Sequence, residues 1–142
     1  MNEAIIGDIV CYQTKEKTPK ISSIEKVTID NIDGINNLIK KKRAYITAPL
    51  IGYDTIIASG IPGEIEKTIF EKTKLNISDF NFENEKNKNI HKFSSRGTRK
   101  EILLVVEPTF SIVGDDDNFF VNMKFELPKG SYATTILREY IK

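Results

Sequence analysis

The chain has 142 residues, with 21 Lys and Arg against 20 Asp and Glu, a formal net charge of +1, a single histidine and a single cysteine. One cysteine excludes an internal disulfide framework and any multi-cysteine zinc pattern, and the longest apolar run, Ile102 to Val106, is far short of the ~20 residues of a membrane-spanning helix. A chain of this length allows one domain and is expected to bury about 68–70 % of its unfolded surface without disulfides. Glu3 and Asp8 near the start, with no basic segment or long apolar run, argue against a secretory signal and for a cytoplasmic protein with no membrane association.

Ile5 to Tyr12 is apolar and β-branched around Gly7-Asp8, which predicts a strand entered through a turn. A Lys- and Thr-rich connection with Pro19 leads to a second strand over Ile24 to Ile29. From Asn31 to Lys42 the spacing of Ile32, Ile35, Leu38 and Ile39 predicts an amphipathic helix, with Lys40 to Lys42 in its last turn, where cations complement the carbonyl end. Ala44 to Thr47 is extended, Pro49 is expected to stop regular structure, and Gly52 marks a bend. Ser59-Gly60-Ile61-Pro62-Gly63-Glu64 starts a helix whose buried stripe is Ile65, Ile69 and Phe70, with Glu64 and Glu66 suiting its positive end. Its Gly60-x-x-Gly63 lacks the Lys-Ser/Thr of a phosphate-binding loop.

Asn76 to Lys92 is polar and predicts a loop with one helical turn around Ser78 to Phe82. Lys100 to Glu107 is apolar on both faces and predicts a central strand ended by Pro108. Thr109 to Val113 and Phe119 to Glu126 predict a hairpin with Asp115-Asp116-Asp117 at its tip; those aspartates lack the spacing and distal Glu of a calcium loop. A final helix runs over Ser131 to Lys142 with Ser131 as N-cap. The sum is a mixed α+β fold, a mainly antiparallel sheet with about three helices.

Charge is strongly segregated. Lys40, Lys41, Lys42 and Arg43 are consecutive; Lys86, Lys88, Lys92, Arg96, Arg99 and Lys100 occupy a stretch without an acidic residue, and the acidic Glu101 to Glu126 segment follows. Basic runs are ordinary solvated faces in many proteins, but two of them beside aromatic residues such as Tyr45 and Phe93 suit contact with nucleic-acid phosphates. His91 lies in a polar stretch, Cys11 in an apolar one, and no triad, metal-ligand set or helical carboxylate pair emerges, so no metal and no cofactor are expected.

The segment Leu127-Pro128-Lys129-Gly130-Ser131-Tyr132-Ala133-Thr134-Thr135-Ile136-Leu137-Arg138-Glu139 closely resembles the C-terminal signature of the pseudouridine synthase D family (TruD). Further landmarks of archaeal-type members are matched by Pro49-Leu50-Ile51-Gly52, by Gly60-x-Pro62-Gly63-Glu64-x-Glu66, by Ser95-Arg96-Gly97-Thr98-Arg99-Lys100, and by Gly7-Asp8. The resemblance implies an enzyme that isomerises uridine to pseudouridine in tRNA, chiefly at position 13, without cofactor or metal. Family members are more than twice this length and carry their nucleophilic aspartate upstream, after a lysine; no Lys-Asp dipeptide occurs here.

The resemblance therefore implies a portion of a longer enzyme: residues 1–112 as the later part of the family's inserted domain, and residues 113–142 as the segment returning to the catalytic domain. It supplies no catalytic residue and is expected to be inactive alone. Gly130, Ser131, Tyr132, Ala133, Thr134 and Thr135 would form one wall of the catalytic cleft, or else serve only capping and helix packing. Arg138 would hold a carboxylate or phosphate, or form an exposed ion pair. Arg96, Arg99 and Lys100, with Lys41, Lys42 and Arg43 ranked lower, are the expected RNA-binding residues. The expected partners are tRNA and an N-terminal catalytic segment in the same or a separate chain. The alternative is a stand-alone, non-catalytic RNA-binding module derived from the family.

Overall fold

The structure is a computed structural model that describes residues 3–15, 19–75, 77–82, 94–102, 106–115, 118–127 and 131–141. His91, Gly130, Asp116 and Asp117, and the stretch 83–93 with its lysines, lie outside the described residues. The chain packs as two units, Met1–Leu103 and Leu104–Lys142.

The first unit is built on a four-stranded antiparallel sheet in the order β2-β1-β3-β4, with β1 Ile9–Gln13, β2 Pro19–Lys26, β3 Ala44–Leu50 and β4 Thr98–Glu101. Helix α1, Ile32–Lys40, lies between β2 and β3 in sequence. Its predicted apolar face closes the core: Ala4, Val10, Val27 and Ile35 are buried together, with Tyr12, Ile32, Ile39 and Ile46 packed against them. Side-chain amides pin the edges of this core. Asn36 accepts from the Ala4 N–H (2.7 Å) and donates to the Ala4 carbonyl (3.1 Å), while Asn31 accepts from Thr28 N–H (2.7 Å) and donates to the Lys26 carbonyl (3.0 Å). Gly7, with φ +100, makes the turn before β1, where an added Cβ would lie 2.0 Å from the Ser59 carbonyl oxygen.

Several local expectations change. The second strand begins at Pro19 and ends at Lys26, because a proline opening an edge strand loses no ladder bond, and a register shift between Cys11 and Tyr12 absorbs the extra residues of β2. Pro49 stands inside β3: pairing with β1 stops at Ile46, and Thr47 to Leu50 pair with β4, so the missing N–H can face the unpaired side. Among the described residues the strand predicted as central is instead the edge strand β4, displaced toward Thr98; residues 103–105 lie outside the described residues.

Helix α2, Gly60–Lys72, forms as expected, but its buried residues are Pro62 and Gly63, whereas Ile65 and Ile69 are 56 % and 60 % exposed. Helical spacing identifies an apolar face without stating what covers it. A 3₁₀ turn follows at Ile77–Phe80.

The second unit contains the predicted hairpin, β5 Thr109–Asp115 and β6 Asn118–Lys124, and helix α3, Ala133–Tyr140. The N-cap of α3 is Tyr132, not Ser131, and it makes no side-chain capping bond. Tyr140 packs against Phe110, ring centroids 5.7 Å apart. A break at 112/113 would cut through β5, whose register with β6 is continuous from Thr109 to Asp115.

Candidate nucleic-acid interface

The basic residues singled out in the sequence fall into different environments. Arg99 is a correction: it is 2 % exposed and cannot reach a surface phosphate. Its Nε donates to Thr47 Oγ1 (2.9 Å), Nη1 to the Ile56 carbonyl (2.7 Å) and Glu66 Oε2 (3.3 Å), and Nη2 to the Thr47 carbonyl (2.8 Å) and Glu66 Oε1 (2.6 Å). A guanidinium has five N–H donors, so this network uses them all. Thr47 in turn donates to the Ile9 carbonyl (2.7 Å), and Glu66 Oε2 accepts from Ala58 N–H (2.8 Å). The network therefore joins β1, β3, β4 and the start of α2. Glu66, expected to serve the helix's positive end, serves this network instead.

Lys100 is partly covered and ion-paired with Glu101 (Nζ to Oε1, 2.9 Å), which offsets its charge locally. Glu101 itself is buried, and its Oε2 has no hydrogen-bond partner. Arg96 is exposed and bonds Asp54 across the surface (3.0 Å), a geometry of small energetic weight. Lys41, Lys42 and Arg43 are exposed in the link between α1 and β3. Arg96 and this run lie at opposite ends of β3, roughly 20 Å apart for a seven-residue strand. The sequence-level picture of two basic clusters thus becomes two separate exposed points with a buried arginine between them.

Of the C-terminal signature, Ser131 is half-buried, while Tyr132, Ala133, Thr134, Thr135 and Arg138 are exposed. Tyr132 is 76 % exposed. Its carbonyl accepts from the Thr135 N–H (3.1 Å), closing the first turn of α3. The same unit exposes Ile112, Val113, Phe119, Phe120 and Val121. By the register, Ile112 and Val121 share one face of the hairpin and Val113 and Phe120 the other.

Burial pushes the Cys11 thiol up to about 11, with the Glu101 charge adding to the shift. Tyr12 rises to about 12 through burial and its hydrogen bond to Glu25 (2.5 Å). Tyr45 is also raised, chiefly by burial. None of these is an activated nucleophile at neutral pH, since each is held protonated. Among the described residues no group of three His, Cys, Asp or Glu side chains gathers as a metal site, and no helix is long and apolar enough to cross a membrane.

An apolar groove of about 600 Å³ lies beside α2 and β3, lined by Ile46, Ala48, Pro49, Ile65, Ile69 and Phe70 among others. Its one anionic contact from α2, Glu66, is occupied by Arg99. The Arg99–Glu66 network escaped sequence reasoning because its partners are 33 residues apart. The available signal was an arginine within a strand and a glutamate on the helix face that also carries Pro62.

The profile of the family described as tRNA pseudouridine synthase D (TruD) matches residues 1–140. The chain is similar to the protein named "Probable tRNA pseudouridine synthase D" of Methanococcoides burtonii, at 49 % identity over 145 residues, covering 100 % of this chain and 32 % of that relative. The protein of the same name from Pyrococcus abyssi is 37 % identical over 143 residues, with 100 % and 32 % covered. The crystal structure of the Methanosarcina mazei protein named "Putative tRNA pseudouridine synthase D (TruD)" superimposes with a TM-score of 0.80 at 45 % identity, covering 98 % of this chain and 31 % of that one. The chain spans about a third of the length of the curated relatives it matches.

Proposed function

The chain belongs to the tRNA pseudouridine synthase D family, and on that premise we propose that it is a portion of an enzyme isomerising uridine to pseudouridine in tRNA, at position 13, in the cytoplasm. The observation that carries this reading is the family match over residues 1–140 within about a third of the relatives' length. In this reading the chain contributes grip on the RNA and one wall of the cleft, and the rest of the polypeptide contributes the chemistry.

The reaction breaks the N-glycosidic bond of the target uridine, turns the base and rejoins it to the ribose through C5, releasing the C5 proton. The initiating carboxylate is proposed to lie in the part of the family's length outside these residues, since no Lys-Asp pair occurs here. The target base must also leave its stack, at a cost of a few kcal/mol that protein contacts offset. Lys41, Lys42, Arg43 and Arg96, all exposed, are the proposed phosphate contacts. Gly130 to Thr135 and Arg138 are the proposed cleft wall.

Residues of the second unit are proposed to return to the catalytic domain, with the change-over moved from 112/113 to the packing break at Leu103/Leu104, which keeps the hairpin whole. Its exposed apolar side chains on both faces support this placement, because a lone two-stranded hairpin is marginal in water. Sequencing the reading frame upstream tests the proposal: an adjoining segment with the aspartate motif is expected, and its absence from the genome would contradict it.

A further inference from the structure

We infer that the apolar groove between α2 and β3 is a packing surface for an aliphatic segment of the same enzyme, contributed by polypeptide outside residues 1–142. The inference rests on the family reading above and adds to it a place on this chain where the rest of the protein docks.

The groove measures about 600 Å³ and belongs wholly to the first unit. It exists because α2 is held to the sheet at a point and not along its length. Glu66 reaches Arg99 through two bonds, and among the described residues no strand runs close alongside the helix. Ile65 and Ile69, one helical turn apart, both line the groove and are 56 % and 60 % exposed. Ile46 and Ala48 continue the apolar wall from β3. Contiguous aliphatic surface of this kind, open to water, marks an interface with other polypeptide.

The polar atoms of the lining decide the class of occupant, because each is engaged within the chain. Asp8 Oδ2 accepts from the Ile5 N–H (2.8 Å), and Thr73 donates to the Phe70 carbonyl (2.6 Å). Thr47 donates to the Ile9 carbonyl (2.7 Å) and accepts from Arg99 Nε (2.9 Å), while Glu66 holds the Arg99 guanidinium. A small polar ligand is fixed by a few polar groups that converge on it; here they converge on the protein itself. RNA phosphates require cations, and among the described residues the lining carries two carboxylates and no Lys or Arg. Aliphatic side chains need no polar partner and gain by leaving water.

Length identifies the source of those side chains. Relatives match 98 % to 100 % of this chain, which makes up only 31 % to 32 % of them. About two thirds of such a protein therefore accompanies the groove. A segment tethered in the same polypeptide meets it at a far higher effective concentration than a separate molecule does.

The test is site-specific thiol labelling, read by mass spectrometry, of Ile69→Cys in the groove and Lys67→Cys on α2 outside it. Each is measured in the 142-residue chain and in a chain of family length, made by joining residues 1–142 to the remaining two thirds of the Methanosarcina mazei protein. In the short chain both sites are expected to label readily. In the joined chain Ile69→Cys is expected to label at least about tenfold more slowly, as a site reached only by local opening does, with Lys67→Cys unchanged. The equivalent two positions of the intact Methanosarcina mazei protein give the same comparison without a junction. Equal labelling of Ile69→Cys in short and joined chains, or equal slowing of both sites, overturns the docking. Slowing in the short chain that grows with its concentration assigns the groove to a second copy and also overturns it. Isomerisation of tRNA uridine by the joined chain reports the enzyme reading separately: activity with an open groove defeats the docking alone, and a covered groove without activity supports the docking while defeating the enzyme reading.

Discussion

The guanidinium of Arg99 meets the carboxylate of Glu66 through two bonds, Nη2 to Oε1 at 2.6 Å and Nη1 to Oε2 at 3.3 Å, with both side chains largely removed from water. This pair fastens α2 to the sheet. Replacing Arg99 by Ala strands Glu66 and the Thr47 and Ile56 carbonyls, and is expected to cost about 3–5 kcal/mol. Urea denaturation checks this; a loss below about 1 kcal/mol, the level of an exposed pair, would show that the network is not structural. Arg99→Lys is expected to fall between, since one ammonium cannot reproduce five planar donors.

The segments around Gly52 and Gly97 approach so closely that neither tolerates a side chain. Tyr53 and Asp54 N–H groups donate to the Ser95 and Arg96 carbonyls, both at 2.9 Å. A Cβ on Gly52 would lie 2.1 Å from the Gly97 nitrogen, and one on Gly97, whose φ is +78, 1.9 Å from Thr55 Oγ1. Gly52→Ala and Gly97→Ala are each expected to destabilise by about 1–3 kcal/mol or more. Gly34→Ala, within α1 and with nothing inside 4 Å of its added methyl, should stabilise by about 0.5–1 kcal/mol. Thermal melts of the three variants separate these outcomes.

Alkali should loosen the first unit. The folded Cys11 thiol titrates at about 11 rather than 9.0, and Tyr12 at about 12 rather than 10.0. Raised values mean that the folded state holds these protons more tightly, so their contribution is intact below about pH 9 and is lost as pH climbs toward 12. A thiol reagent at pH 8 is expected to label Cys11 only at the rate of unfolding, and Cys11→Ala should remove the part of the alkaline loss between pH 9 and 11. Rapid labelling of the folded chain would contradict the burial of this group.

The hairpin of the second unit offers a separate test. Phe119 and Phe120 are 64 % and 72 % exposed, a surface that promotes association. The double change Phe119→Ser and Phe120→Ser is expected to raise the monomer fraction in sedimentation while leaving the unfolding of the first unit unchanged. A concurrent loss of first-unit stability would show that these rings support its core.

Much of this fold was legible. The 3.6-residue spacing of Ile32, Ile35 and Ile39 marked α1 and its buried face, and a turn-rich tip between alternating apolar segments marked β5 and β6. The misreadings share a cause. The apolar run from Ile102 looked like a strand at the sheet's centre, whereas the ladder uses Thr98 to Glu101, four polar residues of which Arg99 is the buried one, made compatible with burial by the distant Glu66. Likewise the basic motif at Ser95 to Lys100 predicted a phosphate contact at Arg99, because sequence shows charge and not the partner that consumes it. The C-terminal signature was readable as a motif, and its exposed residues on α3 are where that motif presents polar groups.

The central claim is that these residues hold RNA while the attacking carboxylate belongs to other polypeptide. Release of tritium from tRNA labelled at uridine C5 reports isomerisation directly, because C5 exchanges its hydrogen for the ribose bond. The 142-residue chain alone is expected to release none above background, and release should appear when it is combined with the upstream two thirds of a relative such as the Methanosarcina mazei protein. Sustained release by the chain alone would place the nucleophile within it and contradict the account.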